Sequence, residues 1–166
     1  MYGAYPVNKP LKVYAKGKIS DKAFKTNTVT IKDDQGAEPQ NISLKFNEDT
    51  INDYLKSIKD IELGAKSFME DYTKDLNKAY KESDYKFIDK YIESNSDLSQ
   101  YMRSMVESKK KNQYRRPEFE SVNYQDGKVN VILKKENQNK DSIKSKYLLK
   151  YNKSDESYKV QSYEDI

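Results

Sequence analysis

Five cationic side chains lie close together in the second half of the chain, and their types point to phosphate chemistry. They are Lys109, Lys110, Lys111, Arg115 and Arg116, beside Tyr114. Lys and Arg bind phosphate through charge-assisted hydrogen bonds, so this cation cluster is a candidate site for an anionic polymer or lipid head groups. The alternative is a solvated helix end and loop. A net charge of only +4, with no recognition motif, argues against nucleic acid as the partner.

Aromatic side chains form a second candidate site. Phe68, Tyr72 and Tyr80 recur at helical spacing with Leu76, so their rings would share one helix face and meet strand residues such as Tyr147. The full set of ligand-binding candidates is Phe68, Tyr72, Tyr80, Tyr91, Tyr101, Tyr147 and Tyr151. A concave pocket lined by these rings would accept a small ligand or a peptide. The alternative is a core in which Tyr fills volume and sends its hydroxyl to the rim.

Catalytic chemistry has few routes in this chain, because it contains no His and no Cys. An Asp acting as base beside a Tyr remains conceivable, and the carboxylates near helical Tyr residues are Asp71, Asp75, Asp84 and Asp89. Each of these also suits an exposed helix face or a helix cap. The sequence therefore predicts no catalytic residue, no metal site and no cofactor. A buried Asp inside the fold with a raised pKa would contradict this prediction.

The elements that would position these residues are three helices followed by four strands. Apolar residues recur at helical spacing over 61–81, 85–92 and 97–111. From Tyr114 the period changes to two, and the predicted strands cover 119–124, 128–135, 147–151 and 158–163. Asp126-Gly127 is a strong hairpin signal between the first two strands. This order predicts an α+β fold in which helices cover one face of an antiparallel sheet.

The first part of the chain carries different patterns. Alternation over 11–19 and 24–32 predicts two paired strands, and 42–46 reads as a third. Asn47 then offers an N-cap to a short helix. The predicted domains are a partial β-sandwich-like domain over 1–46, a helical linker over 47–60 and an α+β domain over 61–166. Three strands bury too little surface to form a core alone, so we expect the chain to be a piece of a longer protein.

Composition limits where the protein acts. No stretch approaches 18 apolar residues and the first ten residues lack signal-peptide character, so we expect contact with a membrane only through an anchor outside this chain. The absence of Cys fits a protein that works outside a reducing cytosol.

Three helices followed by a curved four-stranded meander resemble the NTF2-like cone over about 61–166. More narrowly, the segments FMEDYTKDLNKAYKESDYKFIDKYI and YKVQSYEDI look like the C-terminal extracytoplasmic end of the TcaA family. The resemblance implies membrane proteins of staphylococci and their relatives that carry a zinc ribbon and a membrane helix, neither of which is in these residues. It also implies an influence on teicoplanin susceptibility and on wall polymer. No catalytic motif is associated with the part covered.

The patterns predict a non-enzymatic binding or scaffold module, and the resemblance implies that it lies at the extracytoplasmic face of a Gram-positive cell membrane. Its expected partner is a cell-wall polymer, teichoic acid or peptidoglycan, or an envelope protein. The alternative is a small-molecule enzyme that uses an Asp/Tyr pair on the same cone. An open pocket with a buried carboxylate would favour the enzyme, and a cone filled by its own side chains would favour the scaffold.

Overall fold

A computed structural model of the protein describes residues 11–19, 22–31, 43–108 and 110–166. Contacts within the chain divide it into two compact units, one reaching Lys56 and the other running from Ser57 to Ile166. The candidate sites all lie in the second unit.

The first unit contains two short antiparallel ladders. Strand β1 pairs with β4, and β2 pairs with β3. Their bounds are Leu11–Val13, Lys16–Ile19, Lys22–Lys25 and Val29–Ile31 for β1 to β4. This confirms the predicted pairing of two extended segments, each broken in the middle. Phe24 is buried in this unit, where its ring lies 5.6 Å from that of Tyr54.

The strand predicted over 42–46 is wrong for residues 43–46, which are in no strand, and Ile42 lies outside the described residues. Instead of a ladder of backbone hydrogen bonds, the side chain of Asn27 binds the backbone of this segment. Its side-chain carbonyl accepts from the Lys45 amide at 2.7 Å, and its side-chain nitrogen donates to the Ser43 carbonyl at 3.2 Å. A side chain that pairs with backbone groups in this way competes with regular secondary structure.

Helix α1 spans Glu48–Glu82, a run of 35 residues. The sequence predicts a short helix and a separate long one beginning at Ile61, and the structure joins them. No Gly or Pro interrupts residues 51–63, so nothing in the backbone ends the first helix. Asn47 caps the start as predicted, accepting from the Thr50 amide at 3.1 Å. The helix ends at Glu82, and the following residue, Ser83, has a left-handed φ of 52°.

The helix predicted over 85–92 is wrong. The structure has two 3₁₀ turns there, Tyr85–Phe87 and Asp89–Tyr91, so the described residues contain two α-helices rather than three. A 3₁₀ turn repeats every three residues, which brings Tyr85, Ile88 and Tyr91 to one side. All three are buried in the core.

Helix α2 spans Asp97–Glu107 and ends earlier than the predicted 111. Ser96 caps its first turn, because its hydroxyl accepts from the Ser99 amide at 3.0 Å. Met102 and Val106 lie one turn apart on the buried face of the helix.

The second unit contains a four-stranded sheet in the order β5-β6-β7-β8, antiparallel throughout as predicted. The strands are Glu118–Gln125, Lys128–Glu136, Ser142–Asn152 and Ser157–Asp165. Asp126 and Gly127 have positive φ and form the predicted turn. Register shifts lie between Phe119 and Ser121 and between Leu148 and Leu149, and such bulges bend a sheet.

The core forms between the α-helices, the 3₁₀ turns and one face of this sheet. Alternation in β6 sends Val129, Val131 and Leu133 to the inner face, where each is fully buried. The α1 residues in the same cluster are Ala65, Met69, Tyr72, Leu76, Ala79 and Tyr80. Burying a side chain as large as Leu or Met contributes about 1.5–3 kcal/mol, so this cluster is the main source of stability.

Candidate functional site

The aromatic residues that the sequence predicts as pocket lining are mostly in the core. Tyr72, Tyr80, Tyr91 and Tyr147 are each at most 7% exposed, and Phe68 is half-buried. The Tyr72 ring meets the rings of Tyr91 at 5.6 Å and Tyr147 at 6.4 Å between centroids, both edge-on. These rings therefore fill the space between α1 and the sheet with one another.

The other two predicted aromatics lie at the edges of this cluster. Tyr151 is half-buried on β7, and its ring centroid lies 5.0 Å from that of Tyr158. Tyr101 is 49% exposed on α2, with its ring 6.3 Å from that of Tyr163. The structure thus brings six of the seven predicted aromatics to the helix–sheet core or its rim and leaves Tyr101 at the surface.

An open cleft of about 650 Å³ lies beside Tyr101. Two aromatic rings and three carboxylates line this cleft: Tyr101, Tyr163, Asp97, Glu164 and Asp165. Burial raises the pKa of the Tyr163 hydroxyl, and a hydrogen bond with Tyr101 raises it further. The cleft is lined at its inner side by the end of β8.

A buried lysine that was not among the predicted site residues lies behind this cleft. The Lys135 ammonium donates to the Tyr147 hydroxyl at 3.0 Å and lies 3.9 Å from the Asp165 carboxylate. It also lies 5.1–5.5 Å from the ring centroids of Tyr114, Tyr147 and Tyr163. Burial lowers the pKa of Lys135, and the nearby Asp165 carboxylate acts in the opposite direction.

The strand pattern contains the signal that could have found Lys135. Residues Val129, Val131 and Leu133 alternate inward on β6, and the next inward position is 135. Two neighbours complete its surroundings. Ser145 is fully buried, and its hydroxyl donates to Asp165 Oδ1 at 2.6 Å, which holds the carboxylate that faces the ammonium.

The predicted cation cluster is spread over several partners. Lys109 lies outside the described residues, and Lys110 is exposed. The Lys111 ammonium donates to the Lys81 carbonyl at 2.7 Å, at the end of α1. Arg115 Nη1 lies 3.4 Å from Glu136, and Arg116 Nη2 lies 2.9 Å from Glu70.

These contacts leave the cations accessible. The Arg115 and Arg116 side chains are 67% and 78% exposed. Exposed ion pairs of this kind contribute about 0–1 kcal/mol, so an anionic ligand could displace either glutamate. The two glutamates also neutralise part of the positive charge of the cation cluster.

The four carboxylates considered for catalysis lie at the surface or in structural contacts. Asp71 and Asp89 are exposed, and Asp84 caps the first 3₁₀ turn by accepting from the Lys86 amide at 3.0 Å. Asp75 accepts from the Tyr91 hydroxyl at 2.5 Å and lies 3.7 Å from the ammonium groups of Lys78 and Lys90. These contacts anchor the second 3₁₀ turn to α1.

Neither a metal site nor a membrane-spanning helix is found among the described residues. They contain no group of three or more carboxylates that could hold a metal ion, the chain having no His or Cys. None of the helices in the part of the chain that the structure describes is long and apolar enough to cross a membrane.

Comparison with known proteins gives one consistent result. The family model of the TcaA protein NTF2-like domain matches residues 61–164. The membrane-associated protein TcaA of Staphylococcus aureus strain Newman is 27% identical over 158 residues, covering 93% of this chain and 34% of the relative. TcaA of Staphylococcus epidermidis is 30% identical over 112 residues, covering 65% and 24%. The chain thus spans about a third of the length of the S. aureus relative. No solved structure is significantly similar to it.

Proposed function

Because this chain belongs to the TcaA family and contains its NTF2-like domain, we propose that it is a non-enzymatic binding or scaffold module of a cell-envelope membrane protein. The module lies on the extracytoplasmic face of a Gram-positive cell membrane. There it contacts wall polymer, teichoic acid or peptidoglycan, or an envelope protein, and through that contact influences teicoplanin susceptibility.

The observation that carries the proposal is the filled interior of the second unit. The Tyr91 ring contacts the rings of Phe68 and Tyr72, and Tyr72 also contacts Tyr147 on the sheet. A fold that closes its own concavity with side chains presents its outer surface to partners. The exposed Tyr101 and the accessible Arg115 and Arg116 are then the predicted site residues that a macromolecule could touch.

The alternative is an enzyme that uses an Asp/Tyr pair, and one observation favours it. Tyr91 and Asp75 form such a pair at 2.5 Å. The pair also contacts Lys78 and Lys90, which are 64% and 71% exposed, and it does not line the 650 Å³ cleft. The geometry fits an anchor for the 3₁₀ turn better than a base beside a substrate.

The test is binding of the purified chain to teichoic acid and to peptidoglycan fragments over a series of salt concentrations. One variant changes Lys109, Lys110, Lys111, Arg115 and Arg116 to Gln. A matched control changes five exposed lysines to Gln and so alters the net charge equally: Lys56, Lys59, Lys74, Lys78 and Lys86. The wild-type chain and the control should both bind, and their binding should weaken as the salt concentration rises. That result supports a wall-polymer contact. Absence of binding to both polymers would contradict it and turn the search toward an envelope protein.

A second test addresses the cell. The chromosomal gene for the TcaA family member of a staphylococcus is altered so that the protein lacks the segment matching residues 61–164. This deletion should change the susceptibility of the cells to teicoplanin. The change should be reversed by a plasmid copy of the full-length protein. Unchanged susceptibility in the deletion strain would contradict the link between this domain and the glycopeptide.

A further inference from the structure

The outer face of the sheet, opposite the core, is rich in lysine. Strand alternation that sends Val129, Val131 and Leu133 inward sends the neighbouring residues outward. We call the outward cations the lysine face: Lys128, Lys134, Lys144, Lys146, Lys150 and Lys159. Five of these side chains are exposed and Lys159 is half-buried. Between them lie Asn130, Ile132 and Leu148, all half-exposed.

The register sets like charges directly opposite each other on this face. Lys128 pairs with Lys150, and Lys150 pairs in turn with Lys159, so three lysines form a row across β6, β7 and β8. Lys134 and Lys144 are likewise directly opposite. Like charges at facing positions of adjacent strands destabilise a sheet. Stability of the sheet therefore does not explain these residues.

Acidic side chains offset only part of the charge. Glu120 lies 3.7 Å from the Lys134 ammonium and 2.6 Å from that of Lys144, and the hydrogen bond with Lys144 lowers its pKa. Glu93 lies 3.3 Å from the Lys150 ammonium. The strand glutamates on this face are Glu118, Glu120, Glu136 and Glu164, against six lysines. By this count the face remains positive, although Glu164 lies directly opposite Lys146 in the register and Glu93 pairs with Lys150.

We propose that the lysine face binds a linear, phosphate-bearing polyanion. The inference rests on the proposed function, since it names the surface that would hold a wall polymer. Along β7 the outward lysines 144, 146 and 150 stand at multiples of about 7 Å, because alternate strand residues are that far apart. Lysine acts on phosphate as a point charge with a flexible stem, which suits repeated phosphodiesters without a shaped pocket.

Two other surfaces fit this ligand less well. In the predicted cation cluster, Lys111 caps α1 and both arginines are paired with glutamates, so a polymer would compete with existing contacts. The 650 Å³ cleft presents Asp97, Glu164 and Asp165 and would repel phosphate. A second copy of the chain is also a poor occupant of the lysine face, because two positive faces repel each other.

The test uses the whole chain with poly(glycerol phosphate) and inorganic polyphosphate as probes. The variant changes Lys128, Lys146 and Lys150 to Gln, and a matched control changes Lys56, Lys59 and Lys74, which are exposed on α1. The lysine-face variant should bind on the order of 100-fold more weakly at about 0.1 M salt. The slope of log affinity against log salt concentration should become less negative by roughly 2. Each phosphate that the variant no longer neutralises accounts for about 0.7 of that change. The control should resemble the wild type.

Other outcomes would overturn this inference. Loss of binding only when the cation cluster is changed, with the lysine-face variant unaffected, overturns it and leaves the proposed function standing. Absence of polyanion binding by the wild-type chain overturns the inference and the teichoic acid part of the proposed function. Binding to phosphatidylglycerol vesicles without binding to either polymer, or self-association that disappears in the variant, also overturns it. Circular dichroism checks folding, and single Lys128→Gln and Lys146→Gln variants replace the triple variant if it unfolds.

Discussion

The Tyr158 hydroxyl lies directly over Gly64 of α1. It donates to the Ile61 carbonyl at 2.6 Å, and a Cβ atom at Gly64 would overlap it. Gly in the middle of a helix is less favourable than Ala by about 1 kcal/mol. The close approach of the sheet explains why a helix of 35 residues keeps a Gly at this position.

Gly64→Ala should therefore destabilise the protein by about 1–3 kcal/mol, because the Tyr158 ring must move and its hydrogen bond is broken. In a Tyr158→Phe background the same substitution should be close to neutral or stabilising, since the hydroxyl is gone and the helix gains from Ala. Urea unfolding of the two single variants and the double variant measures both effects. Equal destabilisation by Gly64→Ala in the two backgrounds would show that the hydroxyl is not the obstacle.

Asn77 joins α1 to the segment that leads into β5. Its side-chain nitrogen donates to the Tyr114 carbonyl at 2.8 Å, and its side-chain oxygen accepts from the Tyr114 amide at 2.8 Å. Asn77→Ala should cost about 1–3 kcal/mol, because two half-buried backbone groups lose their partners. Lys74→Ala, an exposed change one turn earlier, should stay within about 0.5 kcal/mol of the wild type. Thermal unfolding compares the two, and similar losses would contradict the role of Asn77.

The same contact affects local dynamics. Amides of the segment 110–116 should exchange hydrogen faster in Asn77→Ala than in the wild type, whereas β6 and β7 amides should change little. The reason is that the Asn77 side chain pairs with both backbone groups of Tyr114, while an isolated bridge between Tyr114 and Asn137 joins this segment to the sheet. A uniform increase in exchange over the whole second unit would indicate global destabilisation instead.

The sequence predicted the sheet well because its signals are local. Alternation in Lys128–Glu136 and the Asp126-Gly127 turn determine the strand faces and the first hairpin. The helices were harder to predict. Apolar residues at 87, 88, 91 and 92 fit the α-helical period, yet Phe87 is 37% exposed. The buried Tyr85, Ile88 and Tyr91 follow the 3₁₀ period, and Ile92 is buried beside them. Packing against the sheet, which a local pattern does not reveal, decides between the α-helical and the 3₁₀ period.

The candidate sites show a similar limit. Spacing along α1 correctly placed Phe68, Tyr72 and Tyr80 on one side of the helix, but it cannot tell a filled core from a pocket. The cations at 109–116 were predicted to act as one cluster because they are close in sequence. In the structure, Lys111, Arg115 and Arg116 each contact a different partner. Neither pattern reveals the lysine rows, because facing pairs such as Lys128 and Lys150 depend on the strand register.

Lys135 and Tyr147 should behave as an energetically coupled pair. Lys135→Met leaves the buried Tyr147 hydroxyl without its donor, and Tyr147→Phe leaves the buried ammonium without its acceptor, so each should cost about 1–3 kcal/mol. The double variant should cost less than the sum by about 1 kcal/mol or more, because no polar group is then orphaned. Asp165 stays solvated in every variant, since its side chain is 54% exposed. Urea unfolding of all four proteins gives the coupling, and additive losses would contradict it.

The buried tyrosines should make the fold sensitive to alkali. Burial raises the pKa of Tyr72 and Tyr147 above the ordinary value of 10.0, and it raises that of Tyr158 to about 12. A group whose pKa is higher in the folded state stabilises the fold fully below its unfolded pKa and loses that contribution as pH rises above it. Lys135 acts in the opposite direction, because its lowered pKa means that its destabilising charge is relieved as pH rises toward 10.5.

Several tyrosines outweigh one lysine, so the free energy of unfolding should fall steeply above about pH 10. Urea unfolding from neutral pH upward measures the fall. The part of the tyrosinate absorbance that comes from the buried tyrosines should rise only as the protein unfolds. Tyr72→Phe should flatten the dependence, because one fewer proton is retained by the folded state. Phe68→Leu removes a ring without removing an ionisable group, so it should lower stability and leave the pH slope unchanged. An equal slope in Tyr72→Phe and the wild type would show that this hydroxyl does not contribute to the alkaline transition.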